Sequence, residues 1–267
     1  MGRKLERKFV EKVWGVDRLP SPFPHPTAER IGEVWFEPPG EVNQLLLKRL
    51  FTSERLSVQV HPSDVQAQVA GHDKNGKEEC WIISDAEPGA VIALGFDSPL
   101  SEEDMRAAAL DGSIMNLLSW HDVSAGDVFH IPPGTVHAIG GGISLLEVQQ
   151  NSDITYRLFD YGRPRELHVD EAMGVAQCAP YPANLKSRVS GDYALLVDGQ
   201  YFRVHSWQVD ADTTPPLPFG SSCLLTTFSG NCMVEGKPLS VDECFVTEFD
   251  PTVISGQDAC LIIVEPA

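Results

Sequence analysis

The chain has 267 residues, 42% of them hydrophobic, which is enough to bury a core in one or two domains. Asp and Glu number 38 against 20 Lys and Arg, so the formal net charge is −18. A surface this acidic repels nucleic-acid backbones and anionic lipids, and we expect neither nucleic acid nor a membrane as a partner. An anionic small molecule would need a local basic pocket inside the acidic shell.

The cysteines and the start of the chain point to a reducing compartment. The six cysteines show no CxxC spacing, and most lie within apolar runs, which is typical of reduced thiols in a core. The charged segment MGRKLERKFVEKVWG lacks the apolar stretch of a secretory signal, and no apolar run approaches membrane-spanning length. We therefore expect a cytoplasmic protein.

Short strand-like runs separated by turn residues dominate the chain. In chain order, the first half contains LLLKRLF, LSVQVHP, CWIISDA, AVIALGF, DVFHIPP and ISLLEVQQ. The second half continues with YALLV, YFRVHSWQV, SCLLTTF, GNCMVEG, CFVTEF and CLIIVEP. Many short strands with Gly and Pro turns predict a mainly β protein, either a sandwich or a barrel.

Two segments are predicted to be helical. In residues 101–120, SEEDMRAAALDGSIMNLLSW, Ser101 and Asp104 stand close to a capping-box arrangement, and apolar residues from Leu110 to Leu118 recur at helical spacing. We expect one or two short helices there, inserted between strands. A second short helix is expected within residues 168–177, HVDEAMGVAQ.

The link CAPYPANLKS, residues 178–187, is a plausible domain boundary. It predicts a catalytic domain over residues 1–177, which includes the helical insertion, and a C-terminal β domain over residues 186–267. Segment 239–266 faintly repeats the pattern of segment 123–149 without its histidine. Either the C-terminal domain is a degenerate copy of the first, or two hairpins are alike by chance.

Four polar side chains in the first half form a candidate metal site. Gln59 and His61, two residues apart in LSVQVHP, point to the same face of a strand. Glu79 enters the next predicted strand, and His137 follows the rigid turn IPPG. Two imidazoles and a carboxylate, with an amide oxygen as a fourth ligand, are typical of catalytic zinc.

The residues around His137 make this site more specific. Gly126, Pro132, Gly134 and His137 have the spacing of the second cupin motif, G-x5-P-x-G-x2-H. The first cupin motif normally begins H-x-H, and Gln59 occupies its first position here. The pattern predicts a cupin, a jelly-roll β-barrel, with a helical insertion and a second, degenerate cupin-like β-unit.

These segments together resemble the type I mannose-6-phosphate isomerases. The resemblance lies in LSVQVHP (56–62), GKEECWII (76–83), IPPGTVHAIGGGISLLEVQQNSDITYRLFDYGR (131–163) and RELHVDEA (165–172), in the order of that family's signature blocks. KVWGVDRL (12–19) and IGEVWF (31–36) are similar to its opening blocks. The resemblance is close over residues 9–175 and loose beyond them.

The resemblance implies a function and a set of ligands. It implies one zinc ion per chain, held by Gln59, His61, Glu79 and His137, and interconversion of D-mannose 6-phosphate and D-fructose 6-phosphate, a step of mannose metabolism. The family's active-site arginine falls on Arg157. The chain departs from the family at Val16, where a second glycine is usual, and at Glu78, where Thr or Ser is usual.

Other residues are candidates for substrate binding and catalysis. Arg157 is expected to stabilise the negative charge of an enediolate, unless it forms a structural ion pair with Asp153 or Asp160. Lys77 is the second catalytic candidate. Further candidates for contact with the substrate are Lys48, Glu33 and Tyr156, the last with aromatic packing as an equal alternative. The base stays open among Lys77, Glu33 and a metal-bound water.

Two other functions are compatible with parts of the pattern. Two histidines and a carboxylate also form the iron site of non-haem oxygenases, although Gln59 would fill a position that oxygen needs. A non-catalytic sugar-binding cupin would bind the sugar without turnover, although it would not need Arg157. Oligomeric state and selectivity among sugar phosphates are left open by the sequence.

Overall fold

A computed structural model describes residues 2–72, 75–209, 222–247, 254–256 and 258–267. The first thirteen strands are β1 (Arg3–Lys4), β2 (Arg7–Val16), β3 (Ile31–Phe36), β4 (Leu45–Thr52), β5 (Val58–Val60), β6 (Glu79–Ala86), β7 (Val91–Phe96), β8 (Leu118–Asp122), β9 (Asp127–Ile131), β10 (His137–Ile139), β11 (Ile143–Gln150), β12 (Tyr156–Phe159) and β13 (Lys186–Arg188). The later strands are β14 (Tyr193–Asp198), β15 (Phe202–Val209), β16 (Cys223–Ser229), β17 (Cys232–Val234), β18 (Lys237–Leu239), β19 (Phe245–Thr247), β20 (Ile254–Gly256) and β21 (Ala259–Pro266).

In the part of the chain that the structure describes, three α-helices and three 3₁₀ turns interrupt the strands. The helices are α1 (Asp64–Val69), α2 (Glu102–Asp111) and α3 (Val169–Met173), and the 3₁₀ turns span Gly40–Val42, Ser113–Asn116 and Ala183–Leu185. The mainly β architecture predicted from the strand pattern is confirmed. Among the described residues, none of these helices has the length and apolar character needed to cross a bilayer.

The strands form four antiparallel sheets. A seven-stranded sheet has the order β13-β9-β6-β11-β4-β3-β2, and a five-stranded sheet has the order β12-β5-β10-β7-β8. A six-stranded sheet, β1-β19-β16-β21-β15-β14, and a three-stranded sheet, β18-β17-β20, contain the C-terminal strands.

Strand alternation decides what each face of the seven-stranded sheet contacts. In β6, Cys80 and Ile82 share a core cluster with Phe202 and other residues of the six-stranded sheet. The intervening Trp81 and Ile83 belong to a different cluster, which they share with residues of β7 and β10 in the five-stranded sheet. Because successive side chains of a strand point to opposite faces, β6 lies between two cores. Its inner face, toward the five-stranded sheet, is where the candidate ligands gather.

The helices cover the outer face of the five-stranded sheet. Small and apolar residues of all three helices pack against Val58, Ala138 and Leu158. Helix α2 begins as predicted after Ser101, whose Oγ accepts from Asp104 N at 3.0 Å, and ends at Gly112, which has a left-handed φ of 83°. Helix α1 was not predicted, although Ser63 and Gln66 form a full capping box at its start.

The N-terminus crosses the expected domain division. Strand β1 pairs with β19, so Arg3 and Lys4 extend the six-stranded C-terminal sheet. The two β-units also share one core cluster rather than meeting at a polar surface. We therefore propose residues 1–177 and 186–267 as two units that fold together. The internal echo in segment 239–266 lies partly outside the described residues.

Truncation of the shared core should destabilise both units at once. Phe202 is fully buried in that core, so Phe202→Ala should lower the free energy of unfolding by about 3–5 kcal/mol. Leu195→Ala, at a position 50% exposed on the neighbouring strand, should change it by less than about 0.5 kcal/mol. Urea unfolding followed by circular dichroism measures both. A separate early transition that leaves the first unit folded would contradict a shared folding unit.

Candidate metal centre and active site

The register of the five-stranded sheet places three of the predicted site residues side by side. Gln59, at the centre of β5, pairs with His137 of β10 on one side and with Arg157 of β12 on the other. Residues directly opposite in antiparallel strands project to the same face. His61 follows two residues after Gln59 and points to that face as well. The turn before His137 is tight, since Thr135 N donates to Pro132 O at 3.2 Å and Gly134 has a φ of 86°.

Glu79 reaches the same point from the facing sheet. It is the first residue of β6 and is fully buried. Its Oε1 lies 2.6 Å from His61 Nε2 and 3.5 Å from His137 Nε2. One ligand atom from each of these three residues lies within 4.8 Å of the other two. Gln59 Nε2 lies 3.2 Å from His137 Nε2, so a half-turn of the amide would bring its oxygen to the group.

The hydrogen bonds of the two histidines fix their lone pairs. His61 Nδ1 lies 2.7 Å from Ile154 O, and His137 Nδ1 lies 2.9 Å from Thr135 O. A carbonyl oxygen only accepts, so each Nδ1 carries the proton and each Nε2 turns a lone pair toward Glu79. Glu79 Oε1 itself is buried with no hydrogen-bond partner. Three buried electron-rich atoms repel one another unless a cation lies between them, so these residues fit a divalent metal ion.

Burial and nearby charge keep the group in its metal-binding protonation state. Burial, aided by the charge of Lys77, lowers the pKa of His61 to about 3, and burial also lowers the pKa of His137. Burial opposes ionisation of Glu79, but the nearby charge of Lys77 favours it and helps to hold the pKa of this carboxyl well below its usual range. Neutral imidazoles and an ionised carboxylate are the forms that ligate a metal.

A cavity of about 280 Å³ opens beside the ligands. Five cationic and three acidic side chains line it: Lys12, Lys48, Lys77, Arg157, Arg165, Glu33, Glu147 and Asp153. This excess of cations is the local basic pocket that an anionic substrate would need in so acidic a chain.

The structure brings Lys77, Lys48 and Glu33 to this cavity. Lys77 Nζ lies 3.4 Å from Glu79 Oε2 and 3.3 Å from His61 Nε2. Lys48 Nζ lies 4.8 Å from the centre of the Trp35 ring. Glu33 accepts a hydrogen bond from Trp35 Nε1 at 2.5 Å and forms an ion pair with Lys12 of β2 at 3.1 Å.

Arg157 also lines the cavity. One of its terminal nitrogens, Nη1, donates to Glu166 O at 2.8 Å, which leaves other donors of the guanidinium for a ligand. Asp160, one of its suggested structural partners, accepts instead from Arg165 through two hydrogen bonds of 2.6 Å each. Asp160 therefore pairs with Arg165 and stabilises the loop after β12, and it does not form a hydrogen-bonded pair with Arg157.

Tyr156 does not reach the cavity. It precedes Arg157 on β12 and therefore points to the opposite face, where it packs in the core beneath the helices. Its hydroxyl lies 2.9 Å from His72 Nε2. The structure therefore supports aromatic packing for Tyr156, the alternative to substrate contact.

Glu147 is a cavity residue that the sequence did not reveal. It is buried in β11, where its carboxylate lies 3.1 Å from Lys48 Nζ and accepts from Trp81 Nε1 at 3.2 Å. Burial and the charge of Glu79 raise the pKa of Glu147 to about 7. The sequence did contain one signal for Glu147: it is an acidic residue within the mainly apolar strand ISLLEVQQ. Lys12 and Arg165 were also missed, because isolated basic residues carry no local signal.

Loss of one imidazole should abolish metal binding. His137→Ala removes a ligand from a site with three strong donors, so its metal content after purification should fall at least about tenfold. His121→Ala, a histidine on β8 outside the cluster, should retain one metal ion per chain. Elemental analysis of both proteins measures the difference. A full complement of metal in His137→Ala would contradict the ligand set.

The metal-free protein should lose stability in mild acid. The pKa of His61 is about 3 in the folded chain and about 6.5 in an unfolded one, so the unfolded chain binds more protons between these values. Stability should therefore fall as the pH decreases below about 6.5, by at most about 1.4 kcal/mol per pH unit for this group. Urea unfolding in EDTA from pH 7 to pH 5 should show a shallower fall for His61→Asn than for the wild type. Equal slopes would contradict a buried neutral imidazole.

Comparison with known proteins identifies relatives of this site and fold. Mannose-6-phosphate isomerase of Streptococcus mutans serotype c is 33% identical over 249 residues, which cover 77% of this chain and 78% of the relative. The probable mannose-6-phosphate isomerase GmuF of Bacillus subtilis is 34% identical over 256 residues, which cover 79% of this chain and 81% of that protein. A scan against protein-family models found no match.

Solved structures agree over nearly the whole chain. The crystal structure of mannose 6-phosphate isomerase from Bacillus subtilis matches with a TM-score of 0.84 and 27% identity, covering 98% of both chains. A zinc-bound mannose 6-phosphate isomerase matches with a TM-score of 0.75 at 15% identity over 99% of both chains, a likeness of fold alone. The expected cupin fold is confirmed, and on the identity and coverage of its relatives the chain belongs to the mannose-6-phosphate isomerase family.

Proposed function

We propose that the protein is a zinc-dependent aldose-ketose isomerase that interconverts D-mannose 6-phosphate and D-fructose 6-phosphate. The observation that carries this proposal is the unpartnered Glu79 Oε1, which faces two imidazole lone pairs at the wall of a cation-rich cavity. The family gives the sugar phosphate, and the cavity offers it a basic environment. The proposed cellular role is in mannose metabolism.

Zinc is the metal that this donor set fits best. His61, Glu79 and His137 would hold it, and Gln59 would complete four protein ligands after rotation of its amide. When bound, the ion supplies a Lewis acid that polarises the substrate carbonyl without redox chemistry. The zinc-bound relative supports the same choice of metal.

The phosphate and the reacting carbons belong at different depths of the cavity. The side chains of Lys12 and Arg165 are each 31% exposed, whereas those of Lys48 and Lys77 are only 7% and 6% exposed. A doubly charged phosphate is most easily bound at the mouth, where it keeps part of its hydration. The sugar then extends inward, so that its first two carbons lie beside Lys77 and the ligand group.

The isomerisation moves a proton between two adjacent carbons, and negative charge develops on oxygen. The buried Lys77 and the half-buried Arg157 supply fixed positive charge next to that oxygen. Glu147 is a carboxylate on the cavity wall that can take and return the proton. Lys48 and Trp81 orient it from either side. Glu33 is less suited as a base because the charges of Lys48 and Lys12 outweigh burial and lower its pKa, whereas the pKa of Glu147 is raised to about 7.

A cytoplasmic location fits the thiols. Five of the six cysteines are buried, and the sixth, Cys178, is partly buried. Reduced buried thiols are typical of proteins from a reducing compartment, and we propose the cytoplasm on this basis.

A coupled assay with mannose 6-phosphate tests the proposal. Wild-type protein should turn over, and EDTA should abolish turnover until zinc is restored. Arg157→Ala should keep its zinc and lose about 10²–10³-fold in kcat, since it removes a charge that stabilises the transition state. Arg106→Ala, a control on exposed α2, should leave kcat unchanged because a surface ion pair contributes little.

Three outcomes would contradict the proposal. Normal turnover by Arg157→Ala would remove the assigned role of that residue. Iron in protein purified without added metal, together with oxygen-dependent turnover, would indicate an oxygenase. Binding of the sugar phosphate without turnover would indicate a non-catalytic cupin.

A further inference from the structure

We propose that residues 199–201, the turn between β14 and β15, are a positioning element of the metal site and act through Glu78. This inference rests on the proposed function, because it assigns the C-terminal unit a part in holding the zinc ligands. The turn belongs to the C-terminal sheet. It contacts Glu78, the residue that immediately precedes β6 and its first residue, the ligand Glu79.

Glu78 is the link between the turn and the metal strand. Its side chain is buried, and its Oε1 accepts from Gln200 N at 3.2 Å. The same oxygen lies 2.9 Å from His130 Nε2 on the neighbouring strand β9. Because Glu78 and Glu79 are consecutive in extended chain, their side chains project to opposite faces. A carboxylate anchored on the outer face thus fixes the backbone from which Glu79 projects inward.

The turn is packed tightly against this carboxylate. A Cβ added at Gly199 would lie 2.1 Å from Glu78 Oε1 and 2.9 Å from Phe202 O. Gly199 N donates to Phe202 O at 3.0 Å, which closes the turn. Only a glycine therefore fits between the turn and Glu78, and any larger residue must displace one of them.

Asp64 connects the segment that carries His61 to the segment that carries Glu78. It lies three residues after that ligand, and its Oδ1 accepts from Gly76 N at 2.7 Å and from Gln150 Nε2 at 3.1 Å. Burial and the Asp64 carboxylate raise the pKa of Tyr201 to about 12, so this carboxylate also interacts with the turn.

Two further hydrogen bonds hold the segment at Lys77 and Glu78. Together with the contacts of Asp64 and of the turn 199–201, they form what we call the brace. Lys77 N donates to Pro62 O at 2.9 Å, and Glu78 N donates to Gln150 Oε1 at 2.9 Å. Lys77 and Glu79 therefore stand on a short segment that is held at each residue. A metal site needs its ligands within about 0.5 Å of their productive positions, which such a brace provides.

The brace depends on the residue type at position 78. A Thr or Ser at this position would be two bonds shorter than Glu and would end short of the Gln200 amide. The link through Glu78 makes the turn a point from which the metal site can be perturbed without touching the cavity.

Four variants of the full-length zinc protein test this proposal. Glu78→Ala removes the link, and Gly199→Ala forces the turn away from Glu78 across the collision described above. Glu78→Gln keeps an acceptor of the same length and serves as the conservative rescue. Gly40→Ala is the matched glycine control, because a Cβ there meets nothing within 4 Å.

The readouts are the rate of zinc release to a chromogenic chelator, and kcat and KM separately. We expect Glu78→Ala and Gly199→Ala to release zinc about tenfold faster and to lose kcat more than KM rises. Glu78→Gln and Gly40→Ala should stay within twofold of the wild type. In a Glu78→Ala background, Gly199→Ala should cause a smaller further change, since the two share one contact.

Several results would overturn the proposal. Wild-type rates of zinc release in both Glu78→Ala and Gly199→Ala would do so, and so would a lowered Tm with no change in zinc release. Equal defects in Glu78→Gln and Glu78→Ala would show that the geometry of the link is not what matters. A wild-type protein that binds zinc but does not isomerise the sugar would contradict the proposed function alone, because zinc release tests the brace without turnover.

Discussion

The arrangement of the site depends on one buried carboxylate oxygen, Glu79 Oε1. It lies 2.6 Å from a nitrogen of His61 whose lone pair is turned toward it, and it has no hydrogen-bond donor of its own. Burying an ionised carboxylate costs several kcal/mol unless a cation compensates it. The backbone carbonyls that accept hydrogen bonds from Nδ1 of His61 and of His137 keep this arrangement from relaxing. Such an assembly is stable when a divalent ion occupies it.

The layered fold explains how two sheets are held around His61, Glu79 and His137, whose facing ligand atoms repel one another. The ligands lie between the five-stranded and seven-stranded sheets, while helices cover one outer face and the C-terminal β-unit covers the other. Strand β6 has a metal ligand on its inner face and the shared core on its outer face. The C-terminal unit is therefore part of the wall behind the site, although none of its described residues belongs to the ligand group.

Much of the site followed from local pattern, and the remainder depended on long-range pairing. Alternation in LSVQVHP predicted that Gln59 and His61 share a face, and the register confirms that they do. Glu79 was also proposed as a ligand from the sequence, but its approach from the facing sheet was not predicted, since no local signal specifies how the two sheets pack. Tyr156 was a candidate for the sugar pocket with aromatic packing as an equal alternative, and strand alternation next to Arg157 already favours packing, because adjacent side chains point to opposite faces. Glu147 and the pairing of β1 with β19 depend on contacts between distant segments of the chain.

X-ray absorption at the zinc edge, on protein purified without added metal, tests the convergence of these side chains most directly. We predict one zinc ion per chain with two imidazole nitrogens at about 2.0–2.1 Å, further oxygen ligands and no sulfur. A sulfur shell, fewer than two imidazoles, or full isomerase activity in protein that contains no metal would contradict it.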